Sequence, residues 1–387
     1  MADIRKVILL IDTARGYGRG LLRGIAKYSD LHGPWIFYWK APFYRESGAQ
    51  QVTLSRLKKL DADGIIMREQ KKFEEILAMG LPTVVSPYSR QFSGLPNIIP
   101  DDGAIAKMAA EHLFNCGLRY FAYCGFEDMF AVRNRGEIFC KMVTDAGFQA
   151  YVYKEPKSRA RRQWEVEQNT MAEWLRSLPK PVGIMACNDD RGRQVIEACK
   201  IAALHVPEEA AIIGVDNDDL VCSLSHPPLS SIVLNFERSG YEAAELLDEL
   251  MAGKKPDNQT IVVKPTHVIA RQSTDVLAIQ DKDVARAVRF IRQRAKEAIQ
   301  VDDVVRVAAV SRRGLERRFR IVLNRSVLDE IRRVHIELVT RMLIETNLSV
   351  TQIASSLGYT GVAHIGRYFR REKGVSLLEY RKRFGRK

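Results

Sequence analysis

No stretch of the 387 residues approaches the ~20 consecutive apolar residues a membrane-crossing helix needs. The first apolar run, Val7 to Ile11, follows Arg5 and Lys6 and stops at Asp12, too short for a secretory leader. Cysteine is sparse, at six residues: Cys116, Cys124, Cys140, Cys187, Cys199 and Cys222. None forms a C-x-x-C pair and none stands at zinc-site spacing from a histidine, which argues against a disulfide framework and a metal ribbon. Several sit in apolar runs, as reduced core thiols of a cytosolic protein do. The seven histidines are scattered. Walker loop, G-x-S-x-G and H-E-x-x-H are all missing, as is a Pro-Cys-His site for methyl transfer. Gly16, Gly18 and Gly20 follow the first strand, but their spacing is G-x-G-x-G and the acidic ribose partner is absent, so a dinucleotide site is not indicated. These absences point away from an enzyme and from any metal or cofactor. Low-complexity sequence is also lacking.

What the chain does have is an uneven charge. Residues 281–387 carry 25 Lys and Arg against 12 Asp and Glu, whereas residues 1–280 carry 35 of each. The whole net charge of +13 therefore lies at the C-terminal end. A neutral body with a basic end is the electrostatic pattern of a polyanion-binding module joined to something else, although a solvated basic tail would look the same. The hydrophobic fraction of 46% is enough for a substantial core.

The first 275 residues alternate short apolar runs with amphipathic stretches. Strands are expected at residues 7–11, 35–39, 64–67, 83–86, 120–125, 183–187 and 212–215, and helices at 104–114, 137–146 and 194–202. Strand followed by helix, many times over, predicts parallel sheets covered on both faces. The number of units predicts an α/β fold of two doubly wound subdomains with a cleft between them. Past Arg271 no strand candidate remains, and residues 283–387 read as helical throughout.

Two helix-turn-helix patterns occupy that end. In the first, Val304, Val305 and Val307 form a short helix, Ser311 caps a second, and Leu315 and Phe319 bury one face of it. Arg312, Arg313, Arg317 and Arg318 project from the other side. In the second, Ser349 caps the helix of Ile353, Ala354 and Leu357, and Gly358 makes the turn. The following helix buries Ile365 and Phe369 and exposes Ala363, His364, Arg367, Arg370 and Arg371. Residues 328–346 read as a connecting helix. Two such units in one chain could reach two major-groove segments about 10 bp apart.

With Arg332, His335, Met342, Leu343, Tyr359, Gly374, Tyr380 and Arg381, these residues resemble an AraC-type DNA-binding domain across residues 283–387. Ile365, Leu377 and His335 depart from that pattern as packing variations. The N-terminal 275 residues resemble the periplasmic-binding-protein-like sensor of LacI-type repressors, through 99–103 (IPDDG), 133–139 (RNRGEIF), 187–190 (CNDD), 213–217 (IGVDN) and 227–236 (PPLSSIVLNF). The combined order is similar to the xylose operon regulator family. This resemblance implies a sensor over 1–275, with subdomain 1 at about 1–100 plus 236–262 and subdomain 2 at about 101–235 plus 263–275. A linker at 276–282 and a double helix-turn-helix domain at 283–387 complete it.

Ligands of open α/β sheets sit beyond the C-terminal strand ends. Tyr17, Arg19, Asp102, Arg135, Asp189 and Asp216 fall there, and the resemblance places Arg135, Asp189 and Asp216 against a sugar. Other roles stay open. Asp102 can cap the helix beginning at Gly103, Asp189 and Asp190 can cap theirs, and Arg135 can form a salt bridge between subdomains. Tyr17 can pack on the linker and Arg19 can face solvent. Leu234 stands where LacI-type sensors often carry a cleft-facing Gln, which loosens any assignment to xylose. The reading is a cytoplasmic, sugar-controlled transcription regulator, more in keeping with an activator than a repressor. Its partners would be DNA, a sugar effector, RNA polymerase and a second copy of itself, with no membrane. A solute-binding protein for transport is the rival, against which the basic end argues.

Overall fold

The computed structural model describes residues 4–39, 54–126, 129–156, 164–254, 260–276, 278–279, 281–359 and 361–384. The strands are β1 (Lys6–Leu10), β2 (Ile36–Trp39), β3 (Gly64–Arg68), β4 (Thr83–Ser86), β5 (Asn97–Pro100), β6 (Tyr120–Cys124), β7 (Gln149–Val152), β8 (Val182–Ala186), β9 (Ala210–Asp216), β10 (Ser230–Leu234), β11 (Thr260–Val263) and β12 (Pro265–Ile269). The sensor helices are α1 (Gly16–His32), α2 (Leu54–Leu57), α3 (Phe73–Leu77), α4 (Asp102–Asn115), α5 (Phe130–Asp145), α6 (Trp164–Ser177), α7 (Asp189–Ile201), α8 (Asp219–Leu224) and α9 (Phe236–Met251). The C-terminal helices are α10 (Lys282–Gln293), α11 (Val301–Ala308), α12 (Arg312–Leu323), α13 (Val327–Glu345), α14 (Val350–Ser356), α15 (Val362–Lys373) and α16 (Leu377–Phe384).

Two six-stranded sheets form. One runs β11-β5-β4-β3-β1-β2 and is parallel throughout; the other runs β12-β10-β9-β8-β6-β7 and is parallel but for β12, which lies antiparallel to β10. The chain leaves the first sheet after β5, builds most of the second, and returns through α9 and β11 before β12 rejoins the second. Central strands such as Val182–Ala186 are buried on both faces, as their unbroken apolar sequence requires.

The glycines after β1 have a packing role. A Cβ on Gly24 would stand 1.9 Å from the Glu237 carbonyl oxygen, and one on Gly240 would stand 2.1 Å from that of Leu21. Helices α1 and α9 thus touch backbone to backbone. Gly18 similarly lies under the Asp12 carbonyl.

The segment after Ile269 is not a free tether. Ser273 Oγ donates to the Ile212 carbonyl at 2.7 Å and Thr274 Oγ1 meets Ser230 Oγ at 2.7 Å, both fully buried. Ala278 N–H donates to the Cys116 carbonyl at 2.9 Å, and Ile279 fills the space left by Gly117, whose φ of +78° favours glycine. Leu277 and Gln280 of the predicted linker lie outside the described residues.

The C-terminal helices build two small cores. Val284, Val304, Leu315 and Phe319 anchor the first; Ile353, Ile365, Phe369 and Tyr380 anchor the second. Helix α13 serves both, giving Val327 and Ile331 to one and Val339 and Leu343 to the other.

Candidate functional site

The cleft lies where the C-terminal ends of the two sheets face each other. Arg135, on α5, is buried and donates through Nε to Asp102 Oδ1 at 3.0 Å, and its Nη1 donates to the Cys187 carbonyl. Asn134 donates to the other Asp102 oxygen at 3.2 Å. Burial raises the Asp102 carboxyl against the pull of Arg135. Asp102 is not the helix cap: Asp101 is, accepting the Ala104 N–H at 3.0 Å.

Asp189 is likewise not a cap, because Asn188 accepts the Arg191 N–H at 2.9 Å. Both Asp189 oxygens are occupied, by Ser231 Oγ at 2.5 Å and the Asp218 N–H at 2.7 Å. Its burial holds the carboxyl well above the usual range. Asp189 therefore fixes the loop after β9 and has little left to offer a ligand.

That loop clasps the other subdomain. Asp218, absent from the sequence expectations, accepts the Gly16 N–H at 2.5 Å and Arg19 Nη2 at 3.1 Å. Arg15 donates to Asp190 at 2.7 Å, and the Phe130 N–H reaches the Tyr88 carbonyl at 3.3 Å. Arg19 is thus a clasp between subdomains. Tyr17 packs edge-on to Phe236 and donates to Ser86 Oγ, and burial pushes its hydroxyl up to about 12.

Asp216 ends β9 with φ at 103° and is followed by Asn217 at 49°, two left-handed residues in succession. Among the described residues, its carboxylate takes no hydrogen bond or ion pair. Burial pushes it up to about 7, although Arg135 and Arg68 pull it down. Arg68, at the end of β3, is a cleft residue the sequence reading missed. Its guanidinium lies 5.7 Å from the Tyr17 ring centre and 5.8 Å from that of Tyr88, with no carboxylate in contact.

The second site is the face of the C-terminal helices. Ser311 Oγ accepts the Gly314 N–H at 3.2 Å, and Ser349 forms a reciprocal box with Gln352. The turns run through Ala309 at φ 58° and Gly358 at φ 74°. On α12, Arg313, Arg317 and Arg320 are exposed, and Arg312 reaches Asp302 at 3.1 Å. Arg320 and the exposed Ile321 extend this face beyond the residues expected from sequence. Arg318 is turned elsewhere, to Asp283 at 2.6 Å and Asp281 at 3.5 Å. On α15, Ala363, His364, Arg367, Arg370 and Arg371 are exposed, while Ile365 and Leu377 are core. His335 is buried on Tyr359 at 2.6 Å.

Residues 110–274 match the family of periplasmic binding protein-like domains, and residues 304–383 match a helix-turn-helix domain family. The xylose operon regulatory protein of Escherichia coli (strain K12) is 29% identical over 97% of this chain and 96% of its own. That of Haemophilus influenzae is also 29% identical, over 97% and 98%. A solved xylose-binding transcription activator aligns over the whole of both chains at 28% identity, with a TM-score of 0.61. The chain is similar to these regulators along almost its whole length. This transcription regulator places a periplasmic-binding-protein-like sensor ahead of an AraC-type helix-turn-helix domain.

The regulator's two parts are docked on each other. Asn115, the last residue of α4, accepts Arg292 through its carbonyl at 2.9 Å and Arg325 through Oδ1 at 2.6 Å. Tyr380 donates to the Thr266 carbonyl at 3.0 Å, and His267 meets Glu345 at 3.2 Å. The burial of His112, with Arg292 and Arg333 nearby, pushes its imidazole down to about 3, so it is neutral where it meets Thr274.

Proposed function

We propose that this regulator binds a small sugar in the cleft and transmits its presence to DNA, acting in the cytoplasm as a homodimeric activator that recruits RNA polymerase. The observation that carries the reading is the state of the cleft: among the described residues, Asp216 from one sheet and Arg68 from the other have no contacting partner of opposite charge. Half-buried charged groups without contacting partners favour a polar ligand that supplies them. Tyr17, Arg135 and Asp216 are the proposed contacts, with Asp102 orienting Arg135 and Arg19 and Asp189 holding the loop that closes. Arg312, Arg313, Arg317, Ala363, His364, Arg367 and Arg371 are the proposed DNA contacts. Xylose and related pentoses come first for testing, since the solved relative is described as xylose-binding.

Helix α4 supplies a route between the sites. It starts at Asp102 under Arg135 and ends at Asn115 under Arg292 and Arg325. Its fourteen residues span about 21 Å. A ligand that closes the cleft more tightly shifts this rod and the domain docked on its end, by no more than its differential affinity for the two states.

The test is a thermal-shift panel of pentoses, hexoses, sugar acids and polyols. A ligand at about 100 times its Kd adds about 2.7 kcal/mol. One sugar should move the melt, and Asp216→Ala or Arg135→Ala should remove that shift. A melt that no sugar moves sinks the sugar reading, while salt-sensitive DNA binding would still stand by itself.

A further inference from the structure

We propose that the effector is a sugar acid, its carboxylate held by Arg68 and its hydroxyls by Asp216; this rests on the sugar-sensing reading above.

The charges around the cleft lead to it. Asp102 is paired with Arg135, Asp190 with Arg15, and Asp218 with Arg19. Glu69, beside Arg68, is turned away: it accepts the N–H groups of Tyr88 and Ser89, at 2.5 and 2.7 Å, and the Ser89 hydroxyl. Asp189 has no cation but is satisfied by Ser231 Oγ and the Asp218 N–H. Among the described residues, Arg68 on β3 and Asp216 on β9, from opposite sheets, have neither a side-chain hydrogen bond nor an ion pair.

Arg68 is held for this role. It is half-buried at the end of a central strand, flanked by the rings of Tyr17 and Tyr88. Rings favour the cation but offer it no hydrogen-bond acceptor. Its planar donor fork stays open and matches a carboxylate in a bidentate geometry. A neutral sugar under a closed cleft would leave that guanidinium desolvated with no acceptor in contact and only the through-space attraction of Asp216, a cost that works against neutral ligands. An aldonic or uronic acid satisfies both leftover groups at once. Leu234, at the end of β10, is buried in the same apolar core as Phe236, which takes the edge of Tyr17. It offers no amide to a further hydroxyl, which fits a ligand anchored by its charge.

The test compares each neutral sugar with its own acid on the full-length protein: D-xylose with D-xylonate, D-glucose with D-gluconate, and D-galactose with D-galacturonate. Binding is measured by calorimetry at low and at raised salt. In at least one pair the acid should bind about tenfold tighter or more, a difference of about 1.4 kcal/mol. Raised salt should weaken the acid and leave the neutral sugar unchanged. Arg68→Met should erase the acid's advantage, and Arg68→Lys should keep part of it. A neutral sugar that binds as tightly as its acid, or an advantage that survives Arg68→Met, overturns the proposal and leaves sugar sensing intact. If no member of any pair binds, both readings fall together. The paired comparison on the unaltered protein decides by itself should either variant fold poorly.

Discussion

At the scale of single residues, two charges in the sensor, Arg191 fully buried and Asp216 half-buried, are handled in opposite ways. Arg191 is fully buried but paired with acids: its terminal nitrogens reach Glu167 at 2.7 Å, Glu155 at 3.0 Å and the Gly125 carbonyl at 3.1 Å, and it lies 4.4 Å from the Phe126 ring centre. Arg191→Met strips two buried acids of their shared cation. Breaking such a pair costs roughly 3–5 kcal/mol, so a urea titration should show a loss of that size. Asp216 has no such company. An aspartate ordinarily titrates near about 3.9, and burial lifts Asp216 to about 7. Between those values the folded state keeps a proton that the unfolded state has released. Its stabilising contribution is thus present at low pH and lost as pH rises through about 7. Asp216→Asn should therefore raise the melting temperature of the ligand-free protein at pH above this window and leave it unchanged below. The same variant should lose the effector shift. An unaltered melt at high pH would mean that Asp216 is not strained by its surroundings.

At the scale of elements, α12 separates two arginines that look alike in the sequence. Arg317 is exposed with no ion-pair partner, while Arg318 is committed to Asp281 and Asp283 beside α10. Each phosphate contact contributes about 0.9 to the salt slope of DNA binding. Arg317→Ala should therefore flatten that slope by about one contact, whereas Arg318→Ala should leave it unchanged and lower the melting temperature. Equal slopes for the two variants would reverse this assignment. The elements themselves were largely legible. The seven expected strands all form, because continuous apolar runs between turn residues suit a doubly covered sheet. Both helix-turn-helix patterns form as read, with Gly358 at the second turn. Strands β5, β7, β10, β11 and β12 were not among the expected seven, and β7 and β11 show why. Each has four residues at or near a sheet edge with exposed positions, so neither carries the apolar signature of a central strand. Caps were misplaced by one residue at Asp102 and Asp189, where adjacent polar residues Asp101 and Asn188 compete for the same role and only backbone geometry decides. Arg68 was hidden for a related reason: the end of a strand is visible in the pattern, but which ends face each other depends on how two sheets meet.

At the scale of the whole molecule, the question is how the cleft and the DNA-binding face inform each other. Contacts between the parts come from residues far apart in sequence, such as Asn115 with Arg325 and Thr266 with Tyr380. None of these is part of a motif. The contacts are built on regular structure: α4 is a hydrogen-bonded rod with one end in the cleft, and Ser273, Thr274, Ala278 and Ile279 pack on the sensor. Coupling between two sites is a free energy that contacts differing between states must carry. Removing the contacts at one end of the rod should then disconnect the sites without damaging either. The double variant Asn115→Ala with Arg292→Ala should keep its effector-induced thermal shift and its DNA affinity without effector. What it should lose is the change in DNA affinity that effector produces, from a factor in the range of about 5–150 towards one. Fluorescence anisotropy with a labelled operator, with and without effector, reads this directly. A variant that still responds fully would place the coupling outside α4, in the pairing of two sensor domains, and the rod would be a structural strut.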